Sequence, residues 1–300
     1  MTTPASRRRA LLMVNRNARR GGDAIDPILG RLTRGGLRLT VEDMPEPDRL
    51  AELFHSHADD VDCVIVGGGD GTMNAVTQEL VKTELPLGIL PMGTANDLAR
   101  TLGIGPTLEQ AADVILAGEA RRIDLGEVNG HVFLNLASLG YSVTLTRTLT
   151  KESKRRWGTL GYAIAALKIL SQARPFTVYF EVDGVTRKAR TLQVGVGNGK
   201  FYGGGMIVEE NATLEDEKLD VYSLEFEQWW QLAGIVPAMR RGVQGKHPQV
   251  RSFSAKEVTI RTRRPHHVNA DGEIVTRTPA TFRVLPKAIT VYAPPDVPQT

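Results

Sequence analysis

The glycine-rich segment Gly67–Thr72 is the feature that most constrains what this chain can fold into. It reads GGGDGT and stands directly between Val61–Val66, a run that is apolar except for Asp62, and a helical pattern that starts at Met73. Glycines let backbone N–H groups approach an anion closely, and a helix N-terminus adds unpaired donors at the positive end of its dipole. The segment has neither the Gly-Lys-Ser/Thr of a Walker A loop nor a GxGxxG fingerprint after the first strand. We therefore expect a phosphate-binding strand–loop–helix unit of another type.

Asp70 gives this loop a second property, because a carboxylate repels phosphate unless a metal ion lies between them. Mg²⁺ is commonly bound by one or two carboxylates together with substrate phosphates. Asp70 therefore predicts a magnesium-dependent site. The alternative is a tight turn with a capping aspartate, but three consecutive glycines followed by Asp-Gly-Thr exceed what such a turn needs.

A second loop of the same kind follows the next predicted strand, Leu87–Leu90, and reads LPMGTANDLAR over Leu90–Arg100. Gly93 and Thr94 could contact nucleotide phosphate, although Thr94 could instead cap the helix that follows. Asp97 would lie in the first helical turn, where the helix dipole favours a negative charge in any case. Both loops lie at the carboxyl ends of predicted parallel strands, where open α/β sheets bind their ligands.

The first 130 residues alternate short apolar strands with helices, which predicts βαβ units and a parallel sheet covered on both faces. The predicted strands are Ala10–Val14, Leu37–Val41, Val61–Val66 and Leu87–Leu90. The predicted helices are Asp23–Leu32, Arg49–Ala58 with Asp48 as its N-cap, Met73–Val81, Ala95–Leu102 and Leu108–Ala117.

The second half begins with a long helical stretch, about Ser153–Ala173, and then becomes a series of strands joined by tight turns. Asp183-Gly184 is a strong hairpin signal within it. The predicted strands are Phe176–Val182, Val185–Gly197, Leu219–Phe226, Glu257–Thr262, Thr281–Leu285 and Ile289–Ala293. This pattern predicts an antiparallel, sandwich-like domain. We expect an α/β domain over residues 1–130 and a β-sandwich domain over residues 131–300, whose last residues could pack back on the first domain.

The composition is that of a globular protein, with 41% hydrophobic and 24% charged residues, which excludes a disordered or collagen-like chain. A net charge of +3 is too small to indicate a nucleic-acid-binding protein. The single cysteine, Cys63, excludes an internal disulfide and a thiolate zinc cluster, and is typical of a reducing compartment. No stretch approaches the roughly 18 apolar residues needed to span a bilayer. We expect a cytoplasmic enzyme with no nucleic-acid partner.

The two loops, GGGDGTMN over Gly67–Asn74 and LPMGTANDLAR over Leu90–Arg100, resemble the diacylglycerol kinase catalytic-domain family, in particular the soluble bacterial YegS-like lipid kinases. Four motifs of the second half resemble the same family in the same order. They are NGKFYGGGM over Asn198–Met206, DEKLDV over Asp216–Val221, DGE over Asp271–Glu273 and PKA over Pro286–Ala288. The resemblance implies an α/β N-terminal domain like that of NAD kinase and phosphofructokinase, followed by a C-terminal antiparallel β-sandwich that binds the lipid substrate.

The resemblance also implies a kinase that uses ATP and Mg²⁺ to phosphorylate the hydroxyl group of a diacylglycerol-like or phosphatidylglycerol-like lipid. The residues that would bind ATP are Asn15, Gly68, Gly69, Asp70, Gly71, Thr72, Met73, Asn74, Gly93 and Thr94. Asp97 and Asp124 would join Asp70 in a Mg²⁺–water network. Arg16 stands where the family commonly has a proline after the Asn15 position.

The same resemblance makes Glu273 the general base that accepts the proton of the lipid hydroxyl, with Asp271 and Asp70 as further catalytic residues. Without it, Asp271-Gly272 is equally well explained by a hairpin turn. The Glu273 carboxylate is expected to face Asp70 and Asp97 across a cleft between the domains.

A structural Mg²⁺ is implied in the segment that contains DEKLDV. Thr213, Asp216 and Lys218 match its ligand positions, the lysine through its backbone carbonyl. Glu217 stands where the family usually has glycine.

Membrane contact is expected because the implied substrate is a lipid. Lys151–Trp157 places basic residues beside a tryptophan, and Trp229-Trp230 opens another apolar helix, a combination that suits an anionic membrane surface. The alternative is that the tryptophans pack in the core and the charges are solvated. We predict peripheral membrane association, and the oligomeric state, including a homodimer, is left open.

Two other functions compete with lipid phosphorylation. NAD kinase shares a GGDGT loop and the two-domain plan, but it would need a different second loop. A catalytically silent lipid- or nucleotide-binding regulator would not need the acidic set of Asp70, Asp97, Asp124 and Glu273. The sequence does not identify which lipid is phosphorylated.

Overall fold

The computed structural model describes residues 8–16, 18, 25–141, 143, 171, 173–202, 206–209 and 212–295. The chain forms two compact units, one of Met1–Asp124 with Pro286–Thr300 and the other of Leu125–Leu285. Three segments discussed above lie outside the described residues: the basic segment Lys151–Trp157, nearly all of the helix predicted over Ser153–Ala173, and Gly203–Gly205 of NGKFYGGGM.

The helices are α1 Asp26–Arg34, α2 Leu50–His57, α3 Asp70–Thr83, α4 Asp97–Thr101, α5 Leu108–Ala117 and α6 Leu232–Met239. The strands are β1 Arg9–Val14, β2 Arg38–Asp43, β3 Cys63–Gly68, β4 Leu87–Pro91, β5 Ala120–Val128, β6 His131–Phe133, β7 Leu136–Gly140, β8 Phe176–Val182, β9 Val185–Thr191, β10 Gln193–Gly197, β11 Phe201–Tyr202, β12 Met206–Ile207, β13 Leu219–Leu224, β14 Val250–Ala255, β15 Glu257–Thr262, β16 His267–Ala270, β17 Glu273–Arg277 and β18 Ala280–Tyr292. Short 3₁₀ turns span Pro47–Arg49, Trp229–Gln231 and Gln244–Lys246.

The first unit contains a parallel sheet in the order β2-β1-β3-β4. The C-terminal end of β18 extends this sheet, because Val291 pairs in parallel with Leu87 of β4. All of β3 and β4 is buried. Parallel strands are continuously apolar because helices cover both faces of the sheet. The predicted α/β class is thereby confirmed.

Local capping explains the bounds of α5 but not the start of α2. Thr107 and Gln110 form a capping box at the start of α5, and Gly118 ends that helix in the left-handed region, so α5 has its predicted bounds. Asp48 is not the N-cap of α2, which was the expectation. It belongs to the 3₁₀ turn before that helix, and Arg49 occupies the cap position without a side-chain hydrogen bond.

The second unit is a sandwich of two antiparallel sheets. One has the order β18-β15-β8-β9, with the Ala280–Leu285 part of β18, and the other has the order β14-β13-β10-β7-β16-β17. Buried side chains from both sheets, such as Phe180 and Phe282 from the first and Val194 and Val221 from the second, form one core. The predicted antiparallel β-sandwich is confirmed.

Two strand predictions are wrong in detail. The run Val185–Gly197 is two strands in different sheets, because the Thr191 hydroxyl donates to the carbonyl of Gln193 at 2.7 Å and accepts the Gln193 amide at 3.1 Å, which turns the chain. The two strands predicted on either side of Pro286 are one strand, β18, which passes through the proline and a left-handed Lys287. The segments not predicted as strands are β5, β6, β7, β11, β12, β14, β16 and β17.

Candidate functional site

The two predicted phosphate loops lie against each other at the carboxyl ends of β3 and β4. Gly69 separates β3 from α3, and a Cβ atom added to Gly93 would lie only 2.7 Å from the Cα atom of Gly69. The Met92 amide donates to the carbonyl of Gly68 at 2.8 Å. These glycines are therefore required by the close approach of two backbones, a reason independent of any ligand.

Asp70 links the loops through hydrogen bonds. It is the first residue of α3, and its carboxylate accepts the amides of Asn96 at 2.9 Å and Asp97 at 2.6 Å. Asn96 is left-handed, with φ of 51°, and its side chain in turn accepts the Gly93 amide at 2.9 Å. Asp70 thus acts as the cap of α4 and fixes the second loop against the first.

Asn15 extends this arrangement to the end of β1. Its amide donates to the carbonyl of Gly67 at 2.8 Å, and its side-chain Nδ2 donates to Thr72 Oγ1 at 3.0 Å. The ends of three neighbouring strands are in this way joined at one edge of the parallel sheet. Their position is the one at which open α/β sheets bind ligands.

The start of α3 has the geometry of an anion site. Thr72 and Met73 donate their amides to the Gly69 carbonyl, whereas Asp70 and Gly71 occupy the first two helical positions, which have no acceptor within the helix. Gly71 is exposed, and a Cβ added there would meet no atom within 4 Å. Met73, another of the predicted ATP-binding residues, is buried, and its amide already donates to the Gly69 carbonyl.

The remaining predicted phosphate-loop residues are more open. Thr94 is exposed, and Asn74 and Gly93 are half-buried. Gly68 is buried, and a Cβ on it would lie 2.5 Å from the Thr72 side chain, which makes Gly68 a packing requirement as well.

The two further aspartates of the predicted magnesium network are buried. Asp97 donates its backbone amide to Asp70, and the Asp97 Oδ1 atom lies 3.9 Å from Nη1 of Arg100. Asp124 is 1% exposed, and its Oδ1 accepts the amide of Lys287 at 2.8 Å. Within the described ranges, no three His, Cys, Asp or Glu side chains gather closely enough to hold a metal directly.

In the second unit, Asp271 forms the turn between β16 and β17. Asp271 and Gly272 both have positive φ, 45° and 98°, as a two-residue hairpin turn requires. The Asp271 carboxylate accepts three backbone amides, from Leu134 at 2.6 Å, Asn135 at 3.0 Å and Leu136 at 3.1 Å. Its carboxylate therefore anchors the hairpin to the segment before β7.

Glu273, the predicted base, is the first residue of β17 and lies two residues after this anchor. It pairs with Ala270 across the hairpin, and its side chain is exposed. The register of β16 and β17 shifts between Val268 and Asn269. Glu273 is therefore an exposed carboxylate directly after the turn that Asp271 anchors.

Sequence reasoning missed the buried amides around this anchor. Asn135, Asn198 and Asn269 are each at most 6% exposed. Asn198 Nδ2 donates to the Leu134 carbonyl at 3.0 Å, and Asn269 Oδ1 accepts the Gly272 amide at 3.0 Å. The available signal was an asparagine inside an otherwise apolar run, as in FLNLASLG around Asn135, since a buried polar side chain must find partners.

The segment predicted to hold a structural Mg²⁺ is an exposed turn. Thr213, Asp216 and Lys218 are all exposed, and the Lys218 amide donates to Asp216 Oδ1 at 3.2 Å. Glu217, with φ of 55°, is paired with Lys256 at 3.0 Å. Asp216 is thus the one side-chain carboxylate among the three predicted ligands, and the fit to Mg²⁺ rests on backbone carbonyls.

Asp220 lies just after this turn, in β13. Burial raises the pKa of its carboxyl group above the ordinary value, although a hydrogen bond from Ser254 Oγ at 2.6 Å acts in the opposite direction. Burial likewise raises the pKa of Tyr222, whose hydroxyl donates to that of Tyr202 at 3.3 Å.

The two tryptophans differ in exposure. Trp230 is 59% exposed and Trp229 is half-buried. None of the helices in the described part of the chain combines the length and the hydropathy of a membrane-crossing segment.

Comparison with protein families assigns both units. Residues 9–128 match the diacylglycerol kinase catalytic domain, and residues 135–293 match the YegS C-terminal domain, described as an NAD kinase beta sandwich-like domain.

Individual relatives agree with this assignment. The chain is 31% identical to a diacylglycerol kinase of Staphylococcus aureus over 83% of its length and 80% of the relative, and 31% identical to that of Staphylococcus carnosus over 84% and 83%. A solved Bacillus anthracis structure assigned as a diacylglycerol kinase superposes with a TM-score of 0.82 at 26% identity, covering 98% of each chain. The chain belongs to the diacylglycerol kinase family of lipid kinases, with a YegS-type C-terminal domain.

Proposed function

We propose that this enzyme transfers the γ-phosphate of ATP, with Mg²⁺, to the hydroxyl group of a diacylglycerol-like or phosphatidylglycerol-like lipid. The observation that carries the proposal is the capping of α4 by Asp70, because it holds two glycine loops together beside a free helix start. Family membership supplies the reaction class.

The first unit would bind the nucleotide phosphates. The amides of Asp70 and Gly71 lie at the positive end of the α3 dipole, and Gly71 leaves space above them. Oriented amides and a helix N-terminus stabilise phosphate charge without reorganising during the reaction. Phosphoryl transfer depends mainly on this kind of positioning and charge stabilisation.

Mg²⁺ fits this donor set through water rather than by direct coordination. Each Asp70 oxygen already accepts one amide, and an ionised carboxylate still has lone pairs for further donors. Asp97 and Asp124 are buried carboxylates in the same unit. When bound, Mg²⁺ would neutralise charge on the transferring phosphoryl group, and it usually retains several waters that such carboxylates can hold.

The second unit would supply the base. Glu273 offers an accessible carboxylate, and Asp271 holds the turn that carries it by three amide hydrogen bonds. We assign Glu273 the acceptance of the lipid hydroxyl proton and Asp271 the positioning of Glu273. A residue that only positions another acts on the geometry of the turn, so its loss should also lower stability.

The cellular setting is part of the proposal. A lipid substrate requires contact with a membrane, and the single, buried cysteine suits the reducing cytoplasm. We therefore place the enzyme in the cytoplasm with peripheral attachment to the membrane.

The test is incubation of the purified enzyme with ATP, Mg²⁺ and extracted cell lipids, followed by mass spectrometry. We expect a lipid that gains one phosphate, no product when EDTA is present, and recovery on adding Mg²⁺. NAD offered in a parallel reaction should remain unphosphorylated. Formation of NADP would favour the NAD kinase alternative. If neither the lipids nor NAD gained a phosphate, a catalytically silent binding protein would be favoured.

A further inference from the structure

The outer face of the sheet β15-β8-β9 carries several exposed cations. Val178 and Phe180 of β8 point into the core, so Thr177 and Tyr179 point to the opposite face. Tyr179 pairs with Lys188 on one side and with Arg261 on the other, and Thr177 pairs with Arg190. The face therefore presents lysine and arginine on both sides of its central strand.

Arg263 extends this set, because it follows directly after the end of β15 at Thr262 and is exposed. The loop that follows is held against β8. The ring of His266 stacks on that of Phe176 with centroids 4.2 Å apart, and the Thr262 hydroxyl donates to the Arg264 carbonyl at 2.7 Å. We call Lys188, Arg190, Arg261 and Arg263 the basic face.

Two acidic residues, Glu181 of β8 and Glu257 of β15, lie on the same sheet face and compensate these charges in part. All four residues of the basic face are exposed. Arg261 pairs with Glu181 at 2.9 Å, whereas in the described part of the chain Lys188, Arg190 and Arg263 form no ion pair. Holding like charges together opposes folding, so an excess of this kind on one face favours an anionic partner.

We propose that the basic face docks onto the anionic surface of a lipid bilayer. The inference rests on the proposed function, since a lipid kinase must meet its substrate in a membrane. The shape agrees, because the charges lie on the open face of a sheet and an extended planar partner can contact them together. Tyr179 stands among them, and tyrosine suits the boundary between lipid and water.

Vesicle binding in the absence of ATP tests this surface. The full-length protein is sedimented with vesicles of phosphatidylglycerol mixed with phosphatidylcholine, and with vesicles of phosphatidylcholine alone. We expect binding to the anionic vesicles only, weakened by added salt. Lys188→Gln with Arg190→Gln should lower the affinity roughly 25-fold, since each basic residue near such a surface contributes about 1 kcal/mol.

Two variants control the experiment. Lys188→Arg with Arg190→Lys keeps the charge and should bind like the wild type. Arg34→Gln with Arg38→Gln removes two exposed cations of the first unit and should leave vesicle binding within about twofold, because neither residue belongs to the basic face. All variants should retain wild-type kinase activity on detergent-dispersed lipid.

The proposal is overturned if the Lys188 and Arg190 variant binds anionic vesicles as tightly as the wild type, or if both neutralised pairs weaken binding equally. It is also overturned if a nucleic-acid oligonucleotide, and not the vesicle, binds through these residues. Vesicle binding through this face by an enzyme that phosphorylates no lipid would overturn the proposed function and leave the docking surface standing.

Discussion

The carboxylate of Asp70 accepts the backbone amide of Asp97 at 2.6 Å, so an acidic residue of the first glycine loop caps the helix that follows the second glycine loop. The neighbouring amide of Asn96 binds the other oxygen of the same carboxylate. Asp70 therefore has a structural task that exists before any nucleotide or metal binds. Substitution of Asp70 can therefore lower activity in two ways, by removing these hydrogen bonds and by removing the charge proposed for Mg²⁺ binding. Measurements of stability and of activity separate the two.

Asp70→Asn should lower both activity and stability. The amide oxygen can still accept one backbone N–H, but the NH₂ group faces the other donor, so one buried amide loses its partner. We expect the free energy of unfolding to fall by about 1–3 kcal/mol, measured by urea denaturation. An unchanged stability would show that the two hydrogen bonds contribute nothing to the loop.

The glycines of the two loops should respond differently to alanine. Gly93→Ala places a Cβ 2.7 Å from the Cα atom of Gly69, so we expect a loss of about 1–3 kcal/mol in stability. Gly71→Ala meets no protein atom and should keep or raise stability by up to about 1 kcal/mol. It should nevertheless raise the KM for ATP, because the new methyl group occupies the space proposed for phosphate.

Gly71→Ala is the sharper of the two tests, since it separates ligand contact from packing. A stable Gly71→Ala enzyme with a wild-type KM for ATP would remove the start of α3 from the nucleotide site.

Substitutions of Asp271 and Glu273 should likewise separate an effect on stability from an effect on activity. Asp271→Asn exchanges an acceptor for a donor opposite three backbone amides and should cost about 2–3 kcal/mol of stability. Glu273→Gln changes an exposed side chain and should alter stability by less than about 0.5 kcal/mol. Its kcat should fall about 10²–10⁴-fold, because the amide accepts no proton. Comparable stability losses in both variants would contradict this division of roles.

The sequence was sufficient for what depends on local patterns. Continuous apolar runs predicted the parallel strands, and Asp183-Gly184 predicted the β8–β9 hairpin, whose two turn residues have φ of 50° and 75°. The two glycine loops were placed between their strands and helices because glycines at such a junction are a local signal. These features need no knowledge of distant residues.

What could not be predicted depends on contacts between segments far apart in the chain. Asp271 binds amides more than 130 positions earlier in the chain. The sequence therefore predicted the turn at Asp271-Gly272 but not the hydrogen bonds that anchor it. The close approach of Gly69 and Gly93 is likewise visible only in three dimensions. The predicted strands Thr281–Leu285 and Ile289–Ala293 lie on either side of Pro286, yet β18 continues through this proline, although proline is rare inside sheets.

Asp220 provides a prediction on pH. Burial raises the pKa of its carboxyl group in the folded protein, so the folded state holds the proton more tightly than the unfolded chain does. Its contribution to stability is therefore largest below the unfolded pKa, near 3.8, and is lost as the pH rises through the raised folded pKa. Asp220→Asn should remove this dependence, so its stability relative to the wild type should improve as the pH rises through that range.

Urea denaturation of both proteins across the acidic range measures the effect. Parallel stability curves for the wild type and Asp220→Asn would show that Asp220 titrates alike in the folded and unfolded states.

The most direct test of the account is transfer of radiolabel from the γ-phosphate of ATP to diacylglycerol in mixed micelles, measured for the wild type and for Glu273→Gln. We predict Mg²⁺-dependent labelling of the lipid by the wild type, and a rate about 10²–10⁴-fold lower for Glu273→Gln at unchanged KM for ATP. Equal rates for the two proteins would contradict Glu273 as the base. Absence of label from diacylglycerol and from every other lipid hydroxyl offered would contradict the proposed function itself.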